Sequence, residues 1–95
     1  MENNRLEVMP EAIGDLPNLV RLDISNNSIR FLPPSMGNFK KIQRIDCSNN
    51  LLPKVPPSMG HLKLLKEFNL RYNSLEERYA AKVEEGLSRL LAFLR

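Results

Sequence analysis

The chain has 95 residues, enough for one domain and near the lower limit at which a chain buries a core of its own. Apolar residues make up 42% and charged residues 26%, which is globular and not disordered composition. The net charge is only +3 with the signs interspersed, and no apolar run nears the ~20 residues that span a bilayer, so nucleic acid and membrane are excluded as expected partners.

The first residues, Met1 to Arg5, contain no hydrophobic signal region. The single Cys47 has no internal disulfide partner, which favours a reducing compartment, cytoplasmic or nuclear. Asn26-Asn27-Ser28 spells a glycosylation acceptor, an accident in that setting.

Along the chain, Asn4, Asn27, Asn50 and Asn73 recur at a constant spacing of 23 residues. Before three of them the same alternation returns: Leu19, Leu22 and Ile24; Ile42, Ile45 and Cys47; Leu65, Phe68 and Leu70. A fixed period of this size indicates a solenoid whose repeats bury a face only by stacking. Met1 falls at the position of Ile24, so the chain is expected to open partway through a repeat, with an uncapped N-terminal edge.

The alternation predicts short parallel strands at about residues 20–24, 43–47 and 66–70, stacked at ~4.8 Å. Apolar sets follow: Leu6, Met9, Ile13, Leu16 and Leu19, and their counterparts one and two periods on. Within these sets recur Pro10, Pro33 and Pro56, then Gly14, Gly37 and Gly60. Proline fixes its backbone angle and gives no donor, so this stretch predicts a tight return path with at most a turn of helix. Each asparagine closes a strand where the chain bends inward, and its amide is expected to pair with backbone groups between coils.

After Asn73 the repeat stops. Ser74-Leu-Glu-Glu77 spells a capping box. Ala80, Val83, Leu87, Leu90 and Leu94 then follow at helical spacing, predicting one helix over 76–95 that covers the last coil. Gly86 weakens its middle by about 1 kcal/mol. A partner-binding amphipathic helix is the alternative.

Chemistry finds little purchase. The outward strand positions form columns one coil apart: Arg21, Arg44 and Glu67; Asp23, Asp46 and Asn69; Ser25, Ser48 and Arg71; Asn26, Asn49 and Tyr72. Asp23 and Asp46 are neighbours, but the repeat itself explains their proximity, and Arg21 and Arg44 are placed to compensate them. His61 lacks a second ligand at metal spacing, Cys47 points inward without a base, and the periodic glycines are too far apart for a phosphate loop. No catalytic residue, metal or cofactor is expected.

The spelling L-x-x-L-x-L-x-x-N-x-L, with its Leu/Val-Pro-x-x-Ile/Met-Gly-x-Leu return path over residues 1–75, resembles the leucine-rich repeat. It is similar to the 23-residue class of intracellular Ras-group proteins, which includes Ras-binding scaffolds and plant intracellular Ras-group-related proteins. The resemblance implies an α/β solenoid forming a short arc. It has a parallel sheet on the concave side, an irregular or 3-10 convex return path, and a C-terminal capping helix over 76–95. It also implies protein binding in signal transduction, with a small GTPase or another signalling protein as partner.

The concave residues Arg21, Asp23, Arg44, Asp46, Glu67, Asn69, Arg71 and Tyr72 offer charge complementarity around one aromatic anchor, so the first expectation is a protein-binding face there. The alternative is a structural unit: the C-terminal part of a larger array, or a self-associating piece that pairs through its N-terminal edge.

Overall fold

A computed structural model describes residues 6–95. Three short strands, β1 (Arg21–Asp23), β2 (Arg44–Asp46) and β3 (Glu67–Asn69), form one parallel sheet in that order. The register advances by one repeat per strand, so Leu22 faces Ile45 and Ile45 faces Phe68. Inter-coil bonding continues past the strand ends, with the Ile24 N–H donating to the Asp46 carbonyl at 2.9 Å and the Cys47 N–H to the Asn69 carbonyl at 2.8 Å.

Each strand is preceded by a return path; β1 and β2 turn inward into the next one, whereas β3 leads into the C-terminal helical segment. The return paths each contain one 3-10 turn, at Glu11–Asp15, Pro34–Asn38 and Pro57–His61. The second and third begin on proline, whose missing N–H would find no partner in a first turn anyway. Successive turns pack closely. A Cβ on Gly37 would lie 2.6 Å from the Ser58 carbonyl oxygen, so only glycine permits this approach.

The core lies between sheet and return paths and repeats with the sequence. Ile24, Ile29, Met36, Cys47, Leu52 and Met59 have no exposed surface. Leu16 departs from its expected core position and is 46% exposed, whereas its counterparts Phe39 and Leu62 are buried. Phe39 and Leu62 lie within the stack, while among the described residues Leu16 has a coil on one side only.

The C-terminal segment corrects two expectations. The capping box does not form: α1 (Glu77–Glu85) starts three residues beyond Ser74, and Glu76 caps it without a side-chain bond. Glu76 is instead held to the preceding coil, its N–H donating to the Pro53 carbonyl at 2.8 Å. The single predicted helix is two, because Gly86 takes φ 109°, a conformation side chains rarely adopt, and redirects the chain into α2 (Leu87–Leu94). The redirected helix buries Leu90, Leu91 and Leu94 and packs on the Pro57–His61 turn, where a further coil would stack. Arg95 completes the junction, its Nε donating to the Gly60 carbonyl at 3.0 Å. Tyr79 and Leu91 are core residues that the helical spacing did not select.

Candidate protein-binding face

The parallel register places Arg21 beside Arg44, and Arg44 beside Glu67. It likewise places Asp23 beside Asp46, and Asp46 beside Asn69. Alternation leaves these outward positions open to solvent, with Asp46 half-buried and the others exposed. Together they surround a shallow depression of about 240 Å³ over β1–β3.

Its charges are arranged differently from the expected Arg–Asp compensation. Arg44 pairs with Glu67, Nε to Oε1 at 3.8 Å. The aspartates are instead held from below by serines two residues on. Asp23 Oδ1 accepts the Ser25 hydroxyl at 2.6 Å and the Ser25 N–H at 3.0 Å. Asp46 accepts the same pair from Ser48, at 2.7 Å and 3.0 Å. The Ser25 hydroxyl, then its backbone N–H, hold the Asp23 carboxyl below the usual aspartate value. Ser25 and Ser48, expected to face outward, are therefore buried. Their short polar side chains fold back on the aspartates and do not reach the face.

In the third coil Arg71 replaces the serine and stays exposed, and its N–H donates to Asn69 Oδ1 at 3.0 Å. Next to it, Tyr72 is 75% exposed. Its backbone is left-handed, φ 61°, as are Asn49 at 57° and Asn26 at 59° one and two periods earlier. Asparagine tolerates this region and tyrosine does not readily. The earlier asparagines at this column were the sequence signal for it. A depression of about 550 Å³ lies between Arg71 and Tyr72 on one side and Ala80, Val83 and Glu84 of α1 on the other. Val83 and Glu84 thereby join the face, a contribution invisible to strand counting because it depends on where α1 docks.

The asparagines lie behind the face. Asn50 Nδ2 reaches the carbonyls of Ile24, Cys47 and Ser48 at 2.9, 3.0 and 3.2 Å, and its Oδ1 accepts the Ile29 N–H at 3.1 Å. Asn73 repeats this one coil on, reaching Cys47 and Leu70 and accepting from Leu52. Asn27 donates to Ile24 and Ser25 and accepts from Leu6. Asn4 and the edge residue Met1 lie outside the described residues.

His61 ends the third 3-10 turn, exposed. Cys47 is fully buried, and burial pushes its thiol far up. Among the described residues no group of three His, Cys, Asp or Glu side chains is placed to hold a metal, and no helix is long and apolar enough to cross a membrane.

Comparison with known proteins agrees with this architecture. A family model described as Leucine rich repeat matches residues 17–75. A solved leucine-rich repeat protein of Leptospira interrogans superposes with a TM-score of 0.83 at 30% identity, over 90% of this chain and 22% of that one. A stretch of 30 residues is 80% identical to Dynein regulatory complex subunit 7 of Chlamydomonas reinhardtii. That stretch is 32% of this chain, and the match spans 3% of the length of the curated relative.

Proposed function

The chain belongs to the leucine-rich repeat family, and on that premise we propose that its concave strand face binds a protein partner as an interaction module in intracellular signalling. The observation carrying this reading is Tyr72, an exposed aromatic held in a left-handed backbone where the equivalent coils place asparagine. The conformation itself belongs to the repeat, since Asn26 and Asn49 share it; what is particular here is a bulky exposed aromatic kept in it at a strain of about 1–3 kcal/mol. Around Tyr72 the face supplies Arg71, the Arg44–Glu67 pair, Asn69 and the serine-held Asp23 and Asp46. Arg21 borders β1. An aromatic anchor within a polar, mixed-charge rim is the composition of a protein interface, not of a small-molecule pocket.

The setting we propose is the cytoplasm. The match to a dynein regulatory complex subunit supports a protein assembly, and the Ras-group spelling of the repeats directs the first titration to a small GTPase.

Affinity capture from cytosolic extract tests the reading, comparing the unaltered chain with Arg44→Glu and Tyr72→Ala. Proteins retained by the unaltered chain and released by both variants are its concave-face partners. An unchanged capture profile overturns the assignment of the site.

A further inference from the structure

A second surface lies beyond the asparagine turns. A groove of about 310 Å³ opens between residues 30–34 of one coil and 54–57 of the next, with Arg78 and Tyr79 of α1 also lining it. It shares no residue with the concave face. Its position coincides with a missing donor. The Arg30 N–H donates to the Glu7 carbonyl at 3.2 Å and the Glu76 N–H to the Pro53 carbonyl at 2.8 Å, which laces these coils together. In the same register the intervening rung would run from residue 53 to the Arg30 carbonyl. Pro53 has no N–H, so the lacing is interrupted there.

The groove is apolar within and cationic at its rim. Phe31 is 60% exposed and bridges in parallel to Val8, itself 62% exposed. Pro34 and Pro57 extend the apolar surface. A single exposed apolar residue needs no explanation, but adjacent ones beside a groove mark an interaction site. All three charged lining residues, Arg30, Lys54 and Arg78, are basic. Arg78 is partly offset by Glu76 at 3.2 Å and lies over the Tyr79 ring, 5.0 Å from its centroid. Among the described residues Arg30 and Lys54 form no ion pair. The concave depression, by contrast, sets Asp23, Asp46 and Glu67 against Arg21 and Arg44.

We infer that this groove is a second docking site, and that its occupant is an extended acidic segment of another protein bearing a large apolar side chain. The apolar side chain packs between Phe31 and the prolines, while the carboxylates of the segment face Arg30 and Lys54. Anionic lipid is the less fitting occupant, because three cations fall short of the cluster of roughly 4–8 that marks lipid-binding segments.

The probe is a short fluorescein-labelled peptide of glutamates around one leucine and one phenylalanine, with its glutamine counterpart as control. Fluorescence anisotropy should detect binding of the acidic peptide to the full chain and at least about ten-fold weaker binding of the glutamine peptide. Charge reversal by Arg30→Glu with Lys54→Glu should abolish binding, and Phe31→Ser should weaken it, while Tyr72→Ala leaves it unchanged. These side chains are exposed, so circular dichroism should match the unaltered chain. If the double variant unfolds, Phe31→Ser decides alone. The inference is overturned by absence of binding, by equal binding of both peptides, or by loss through Tyr72→Ala and not Phe31→Ser. It is also overturned if the chain sediments with anionic phospholipid vesicles, loses that on charge reversal, and ignores the peptide.

Discussion

The side-chain amide of Asn50 donates to the carbonyl of Ile24, one coil back, at 2.9 Å, while its oxygen accepts the N–H of Ile29 in that same earlier coil. One buried side chain thus ties the bend after β1 to the next coil: it gives the Ile29 N–H its acceptor and adds a second donor to the Ile24 carbonyl, which Asn27 also reaches. Asn50→Ala orphans the buried Ile29 N–H and removes one donor from each of the Ile24, Cys47 and Ser48 carbonyls, and should cost about 1–3 kcal/mol in urea melts. Asn50→Asp keeps the shape but loses the amide donors and buries a charge, so it should cost at least as much. An unchanged melt for either variant would remove the asparagine ladder from the stability of the fold.

The return paths depend on a different contact. Gly37 lies so close to Ser58 that an added Cβ would sit 2.6 Å from both its carbonyl oxygen and its Cβ. Gly37→Ala must push two coils apart, at a cost of about 1–3 kcal/mol. Gly86→Ala tests backbone conformation and not space, since nothing lies within 4 Å of a Cβ there while φ is 109°. The cost of the first should fall when Ser58 is replaced by glycine in the same chain. That of the second should not.

Period and alternation carried most of the fold because each coil repeats one set of constraints. Inward positions such as Ile29, Leu52 and Met59 follow from the spacing alone. What the spacing left out depends on singular contacts. Gly86 ends α1 and does not merely weaken it, because its left-handed backbone redirects α2 onto Gly60. Ser25 and Ser48 appear outward by alternation, yet both are drawn inward by bonds to Asp23 and Asp46. Tyr72 was legible as an exposed aromatic, but its backbone strain emerges only beside Asn26 and Asn49. The groove at Phe31 escaped the strand columns because it lies on the return side, between residues of two successive coils and of α1.

The bond from Ser25 gives Asp23 a measurable signature. Ser25 favours the charged form, so the Asp23 carboxyl titrates below its ordinary value of 3.8. The stability gained is fully present above that ordinary value and is lost as pH falls through the lower, folded value. Ser25→Ala removes the hydroxyl but leaves the backbone N–H, so the carboxyl should move only partway back. A carboxyl-detected NMR titration of Asp23 in both chains checks this, and identical midpoints would contradict it.

Cys47 sits between coils with no exposed surface, and burial raises its thiol far above the ordinary range. The reactive thiolate is therefore absent in the folded chain at neutral pH. Alkylation by iodoacetamide should follow the population of unfolded molecules and accelerate with urea in step with the melt. Rapid labelling of the native protein would show that the coils open locally around β2.

At Tyr72 stability and recognition should oppose each other. A tyrosine in the left-handed region carries strain that asparagine, the residue at this position in the two earlier coils, largely avoids. Because the ring is 75% exposed, its removal sacrifices little burial. Tyr72→Asn should therefore raise stability by up to about 1 kcal/mol in a urea melt. The same variant should lose whatever protein the unaltered face retains. Tyr72→Ala removes the ring without relieving the backbone as well, so it should lose binding without the gain in stability. A destabilised Tyr72→Asn chain would mean that the ring supports the fold, and the left-handed backbone would then no longer argue for a binding role.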